Sequence, residues 1–526
     1  MLTTYVVGSY QIVPYAKIHN SCPNYRPFMN VAIINPRMFH QAYRFFPLGL
    51  GYLAGAMENE GIPWNFYDLH NDWVDTKAAI DNIKKDGVPD LIGLSGLLTS
   101  YQSIQELCGA LKENFPDSKI VVGGKIAVVE PKILFQNMQT DFIVEGEGEI
   151  AFIELINELS NGQNFEEVDG LAWRGRDGEI HSHGEAPVVK NLGDYRIPYE
   201  KFDMEGYVQK VNIQSPNVRS LNMLSSRGCP FSCSFCNFST IRSPMRYYDD
   251  LENQLDYLVE NFQLSHVTFN DDIFTVKQKH VAKVAKLMKD RNLTFSVSSR
   301  IDFLKKETIE ILEDSGCRYL CVGIESPSPT VAKIVDKKLN MTKLQENMDL
   351  LQASRIVVNY GFIIGYYGET EETIRETRDF VLRNKILYSG FFANAFPKTK
   401  LYEMIQDKIP DEKEYLERLF TVDLSADYLV NMTNIPRKKL YRLRDELVVE
   451  SVLGAIKVPL PALVRYPLRK IGRLYLAFMR NYGMKYAMFK NIFEFINMSI
   501  VKPLTKRKRP NFSHGEGAIS WWPFSG

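Results

Sequence analysis

The chain has 526 residues, enough for about three domains, and its 45% hydrophobic and 24% charged residues exclude a disordered or collagen-like polymer. Seven cysteines are too few for a secreted disulfide framework. Lys+Arg and Asp+Glu are both 63, so the net charge points to no nucleic-acid partner. The balance hides a division, however: residues 455–510 hold thirteen Lys/Arg against the single acid Glu494, a charge of +12 that leaves −12 on the rest. No uninterrupted apolar run reaches the roughly 18 residues of a membrane span. The first residues lack the charged and apolar regions of a signal peptide. The expected compartment is a reducing cytoplasm, where clustered cysteines hold a metal rather than a disulfide.

Residues 1–29 read as an irregular arm. From 30 to 167 strands alternate with helical stretches. Strands are predicted at 30–35, 64–68, 90–95, 119–124 and 141–145, with helices opening at Pro47 and running from about Tyr101 to Phe115. This alternation predicts right-handed βαβ units, a doubly wound parallel sheet of the Rossmann type, and ligands at the carboxyl ends of its strands. Residues 168–220 read as a small hairpin, with Asp177-Gly178 at its turn, and a linker. A second α/β block covers 221–425. Its six strands at 221–225, 266–270, 294–298, 319–323, 357–364 and 389–396 predict a partial (β/α)6 barrel. Residues 426–526 read as mostly helical and basic.

Cys229-Pro-Phe-Ser-Cys233-Ser-Phe-Cys236 follows the first strand of the second block. Thiolates at this spacing suit one soft metal centre. A structural zinc wants four closed ligands and is the rival; three cysteines on a [4Fe-4S] cluster leave one iron open. Cys22, Cys108, Cys317 and Cys321 lack clustered spacing and read as ordinary thiols.

The Cys-x3-Cys-x2-Cys loop in this position resembles the radical S-adenosylmethionine (SAM) superfamily. The resemblance implies that Cys229, Cys233 and Cys236 hold the cluster, that the reduced cluster cleaves SAM to methionine and a 5′-deoxyadenosyl radical, and that this radical takes hydrogen from an unactivated carbon. It places Phe235 beside the adenine. It gives SAM-binding roles to Asp271 after the second strand, Arg300 after the third, Glu325 at the end of the fourth, and Gly361, Ile363 and Gly365 on the fifth. A cation suits the SAM carboxylate, a carboxylate the ribose hydroxyls and bare backbone the adenine.

In the first block, Pro47-Leu-Gly-Leu-Gly-Tyr52, Ser95, Val121-Val-Gly-Gly124 and Glu145-Gly-Glu-Gly-Glu149 resemble the cobalamin-binding domain of one branch of that superfamily. This branch contains the cobalamin-dependent methylases and the anaerobic magnesium-protoporphyrin ester cyclase. The resemblance implies cobalamin bound by Ser95, Gly123, Gly124, Glu145 and Gly146. Asp68-Leu-His70 is not the Asp-x-His-x-x-Gly of His-ligated cobalamin proteins: it ends the second strand, Trp73 stands where Gly belongs, and the loop Pro36–His40 has no such motif. A cobalamin without a histidine lower ligand is therefore expected. Two segments depart from the family's usual pattern: Lys125-Ile126 replaces Pro-His after the Gly-Gly, and Lys398 replaces the glycine of a Pro-Gly-Thr-x-Leu segment.

The resemblance thus predicts an anaerobic, cobalamin-dependent radical methyltransferase with three cofactors: the cluster, SAM and cobalamin. A radical cyclase or rearrangement enzyme and a non-catalytic cobalamin sensor are the alternatives. A small or lipid-like substrate and an electron donor such as flavodoxin or ferredoxin are the expected partners. Basic and apolar residues interleaved over 455–510 predict peripheral contact with an anionic membrane as one reading and a structural cap as the other.

Overall fold

The computed structural model describes residues 29–38, 45–72, 74–162, 164–208, 218–237, 244–337, 339–419, 421, 427–455, 469–470 and 472. The arm at 1–28, Cys22, His40 and Trp73 lie outside the described residues, as does nearly all of 456–526.

The first domain is a seven-stranded sheet. Its strands are β1 (Val31–Asn35), β2 (Trp64–Asp68), β3 (Leu91–Ser95), β4 (Lys119–Gly123), β5 (Phe142–Val144), β6 (Leu171–Arg174) and β7 (Ile180–Ser182), in the order β2-β1-β3-β4-β5-β6-β7. The first five pair in parallel. Every residue of central β1 is buried, because helices cover both faces of a doubly wound sheet. Those helices are α1 (Leu48–Asn59), α2 (Thr76–Asp86), α3 (Tyr101–Asn114), α4 (Pro131–Asn137) and α5 (Gly148–Asn161). α2 starts where the Asp75 carboxylate accepts the Ala78 amide. The strand order reverses between β1 and β3, which opens a crevice at their carboxyl ends. The Asp177-Gly178 hairpin forms as read, but it is not separate from the sheet. β6 pairs antiparallel with β5 and adds two strands to the edge.

The second sheet contains β8 (Ser220–Met223), β11 (His266–Phe269), β12 (Thr294–Arg300), β13 (Cys317–Glu325), β14 (Val357–Ile364) and β15 (Ser389–Phe392). Its order β15-β14-β13-β12-β11-β8 is sequential and every pairing is parallel, which makes it an open partial barrel. Between β8 and β11 a two-stranded ribbon, β9 (Ser226–Arg227) and β10 (Arg246–Tyr247), pairs antiparallel. The helix Arg437–Ala455 packs on the helix Glu371–Arg383 at the β15 side.

The two domains share their cores. One apolar cluster joins Val31, Phe46 and Tyr52 to Leu221, Met223 and Tyr248, and a second joins Ile34 and Leu94 to Tyr366 and Phe392. A polar staple adds to them: the Asn222 amide on β8 accepts from Phe46 N and donates to Phe46 O, both at 2.9 Å. The result turns the carboxyl edges of the two sheets toward one another.

Candidate active site

A cavity of about 770 Å³ lies between those two edges. The first domain contributes the carboxyl ends of β1, β3, β4 and β5; the second contributes the cysteine loop and the ends of β11 to β15.

On the first side, Ser95, Gly123, Gly124, Glu145 and Gly146 all line the cavity, as do Gly49, Gly93, Gly96 and Gly148. Gly124 is required twice over: its φ is +82°, and a Cβ there would stand 2.6 Å from Ser95 Oγ. The edge therefore presents backbone to whatever fills the cavity. The hydroxyl of Ser100, fully buried and lining the same wall, has no hydrogen-bond partner among the described residues. A bare edge with an unsatisfied buried hydroxyl fits a bulky ligand bearing polar side groups, as cobalamin is. The cavity wall contains no histidine among the described residues. His70 is buried but points elsewhere, its Nδ1 accepting the Met38 amide at 3.2 Å. Asp68 beside it accepts from Asn35 Nδ2, the His70 and Asn71 amides and the Tyr207 hydroxyl. The Asp68–His70 pair is packing at the end of β2.

On the second side, the three cysteines are half-buried and face the cavity. Among the described residues no three His, Cys, Asp or Glu side chains are gathered around a single ion position. Three thiolates on one loop match the three protein-held irons of a four-iron cluster and fall one ligand short of a closed structural zinc site. Burial pushes the Cys229 thiol up to about 11 and raises Cys233 as well, so both need the positive charge of iron to become thiolates. The loop is tied down between its ligands. Ser234 N donates to Val335 O at 3.0 Å, and Ser234 Oγ pairs with Tyr366 OH at 2.6 Å.

The SAM-site candidates separate in space. Phe235, Asp271, Arg300, Glu325, Gly361 and Ile363 line the cavity, and Gly365 does not. Gly365 turns away at φ +81°, its amide donating to the buried Glu369 carboxylate at 2.6 Å and its Cα facing Tyr428; it shapes the end of β14 from beneath. Asp271 reaches the wall, but its carboxylate accepts from Ser225 N, Ser225 Oγ and Ser226 Oγ at 2.5–2.7 Å. It anchors the strand that leads into the cysteine loop, and burial lifts its pKa to about 6. Arg300 is held by Asp302 through Nε and Nη2, at 3.0 and 2.9 Å, while Nη1 lies 3.6 Å from Cys233 Sγ. Its guanidinium also covers the Phe231 ring at 4.0 Å.

Several residues of the site escaped the sequence reading. Lys337, 3% exposed, donates to Glu325 Oε1 and Gly323 O at 2.8 Å and fixes Glu325, whose φ of +64° is left-handed. Nothing in the local pattern marked Lys337, twelve residues downstream. The cross-strand partners Arg227 and Arg246 engage the first domain. Arg246 Nη1 and Nη2 clasp Glu147 at 2.8 and 2.6 Å, and Arg227 Nη1 sits 2.7 Å from Glu149. Lys398 Nζ lies 2.7 Å from Glu145 Oε2. Burial pushes Glu147 up, but Arg246 and Arg227 more than offset this and hold its carboxyl below the usual range. The alternation Glu-Gly-Glu-Gly-Glu was the available signal: it sends three acids toward the barrel with small residues between them.

The family model of the radical SAM superfamily matches residues 223–381, and that of the B12 binding domain matches residues 37–156. The chain carries a radical SAM domain and a B12-binding domain. The radical SAM domain carries a [4Fe-4S] cluster and SAM as its cofactors, and the B12-binding domain adds cobalamin. The chain is 27% identical over 369 residues to the uncharacterized methyltransferase PH0819 of Pyrococcus horikoshii, covering 68% of this chain and 78% of that protein. It is 24% identical over 457 residues to the cytidylyl-2-hydroxyethylphosphonate methyltransferase of Streptomyces wedmorensis, covering 76% and 85%. The radical SAM methyltransferase TsrM of Kitasatospora setae, solved with cobalamin and a [4Fe-4S] cluster, shares the fold. Its TM-score is 0.64 at 16% identity, over 86% of this chain and all of that one. No described helix is long and apolar enough to cross a membrane.

Proposed function

We propose that the protein is a cobalamin-dependent radical SAM enzyme that transfers a methyl group to an unactivated carbon of a small molecule. The observation that carries this reading is the single cavity shared by the bare, glycine-lined edge of the first sheet and the cysteine-bearing edge of the second. Two cofactors that act on the same substrate carbon, one to remove its hydrogen and the other to supply a methyl group, need one shared space, and this cavity is bounded by both half-sites. The methyltransferase relatives support the same reading.

In this reading Cys229, Cys233 and Cys236 hold the cluster. Cluster and SAM together supply reductive cleavage and hydrogen abstraction, and the corrinoid supplies the methyl group. Arg300, fixed by Asp302 and by Lys337 O, presents its Nη1 to the SAM carboxylate. Glu325, fixed by Lys337, accepts from the ribose hydroxyls. Phe235 and the Gly361–Ile363 backbone enclose the adenine. Ser95, Gly123, Gly124 and Gly146 let the corrinoid approach the first sheet closely. The apolar residues between, among them Phe391, Phe392 and Phe396, exclude water from the reacting carbon. A low-potential donor of the flavodoxin or ferredoxin class reduces the cluster. The basic segment 455–510 brings the enzyme to anionic membranes and to a lipid-like substrate; its charge and its interleaved aromatic residues support this.

The test is anaerobic reconstitution with cobalamin and SAM, followed by mass analysis of the small molecules formed in lysate. A product heavier by one methyl substitution, together with 5′-deoxyadenosine, is expected. Deoxyadenosine with an unmethylated product identifies a cyclase or rearrangement enzyme. Corrinoid binding without any SAM cleavage identifies a sensor.

A further inference from the structure

The Lys398 position departs from the glycine of the resembling family, and its surroundings explain what a lysine does there. Its φ is +62°, a left-handed conformation that costs a side-chain-bearing residue and that glycine adopts freely. In return, its Nζ reaches across the cavity to Glu145 Oε2 at 2.7 Å, a residue 253 positions earlier in the other domain. The Glu145 side chain is 4% exposed and Lys398 is 28% exposed, so the pair is screened from bulk water. Glu145 is itself oriented by Ser182 Oγ, which donates to Oε1 at 2.7 Å. Three residues beyond Lys398, Leu401 N donates to Ser234 O at 2.8 Å. Ser234 lies between Cys233 and Cys236. The short segment from Lys398 to Leu401 therefore grips the corrinoid edge with one end and the cysteine loop with the other. Thr399 stiffens the segment between them: its hydroxyl donates to Phe396 O at 2.6 Å and accepts the Tyr402 amide at 3.2 Å.

We infer that residues 398–401 form a strut that sets the separation of the corrinoid and cluster half-sites, with Lys398 as its positioning residue. The inference rests on the proposed use of both cofactors and goes beyond it, because the strut is a property of this chain's own contacts. Lys398 lines the cavity and acts on the first-domain edge through Glu145. A misplacement of about one ångström between reacting groups costs an enzyme as much as a hundredfold in rate, so a contact that fixes this separation bears directly on the chemistry.

The experiment uses the full chain reconstituted with its cluster and hydroxocobalamin. Dithionite reduction yields paramagnetic cob(II)alamin and a paramagnetic cluster, whose separation pulsed electron paramagnetic resonance reports. Lys398→Gly suits the left-handed backbone, so it removes the ion pair without endangering the fold. It and Glu145→Gln are expected to broaden a narrow wild-type distance distribution. Lys398→Arg is expected to restore it, and Glu145→Gln/Lys398→Gly to be no broader than either single change. In parallel, hydrogen exchange of the apo protein is expected to quicken about tenfold at residues 145–148 and 233–236 in Lys398→Gly. An unchanged distribution and unchanged exchange in Lys398→Gly overturn the strut. A wild-type chain that takes up no hydroxocobalamin overturns the cobalamin reading instead, and the exchange measurement then decides the strut alone.

Discussion

The two sheet edges that face each other across the cavity are built in opposite ways. The edge of the first sheet is stripped of side chains: Gly96, Gly123, Gly124 and Gly146 stand where its strands end. The edge of the second is crowded with charge and sulfur, in Cys229, Cys233, Cys236, Arg300, Glu325 and Lys337. The difference follows from what each must bind. A large macrocycle is held by shape, over area that side chains would obstruct. A small zwitterionic nucleoside and an iron cluster are held by a few directed ligands in a desolvated site. The two edges also meet differently: the bare edge extends acids outward, and the charged edge answers with Arg227, Arg246 and Lys398.

If the contrast is right, damage to the two edges separates functionally. The largest effect belongs to the cysteine edge. Cys229→Ala, Cys233→Ala or Cys236→Ala each abolishes SAM cleavage and lowers cluster iron, while corrinoid binding persists. Iron analysis, deoxyadenosine assay and the corrinoid visible spectrum check this, and full cleavage with unchanged iron in any one of them breaks the comparison. Next comes Gly124→Ala at the bare edge. Its Cβ meets Ser95 Oγ and its backbone is left-handed, so about 1–2 kcal/mol of strain is expected. Corrinoid affinity falls about tenfold while SAM cleavage is retained, which a cobalamin titration followed by deoxyadenosine assay measures.

A pH effect probes the second edge from beneath. Burial raises Glu369 to about 7 from 4.5. Between those values the folded chain holds a proton that the unfolded chain has lost, so stability falls as pH rises through the window, by about 3 kcal/mol at most. Glu369→Gln keeps an oxygen for the Gly365 and Tyr366 amides and is expected to flatten that slope in denaturant titrations at pH 4.5 to 7. A slope identical to wild type removes Glu369 as its source. His70→Ala is a smaller test of the bare edge. It removes the acceptor of the Met38 amide, costs about 1 kcal/mol and leaves the corrinoid spectrum unchanged; loss of corrinoid from the folded variant places a histidine at the lower face after all. The weakest effect is salt-sensitive sedimentation with anionic liposomes, lost on removal of residues after about 455. Absence of binding by the full chain at low salt leaves 455–510 as a cap.

The sequence by itself determined the two βαβ-type blocks, because buried parallel strands announce themselves locally, as the contiguous apolar runs Val31–Ile34 and Ile120–Val122 do, and need no distant partner to be recognised. It determined the cysteine loop for the same reason: three ligands within eight residues are a local pattern. It did not separate Gly361, which lines the cavity, from Gly365, which turns under it, since both sit on one strand and only the packing of Tyr428 distinguishes them. Nor did it join the hairpin to the first sheet, because Asp177-Gly178 specifies a turn and not the strand it will pair with. The tertiary structure alone decided what Lys398, Lys337, Arg227 and Arg246 do. A charged side chain carries no periodicity that names its partner, and its role is fixed only when folding brings an opposite charge from far along the chain to within hydrogen-bond reach in a place that water does not screen.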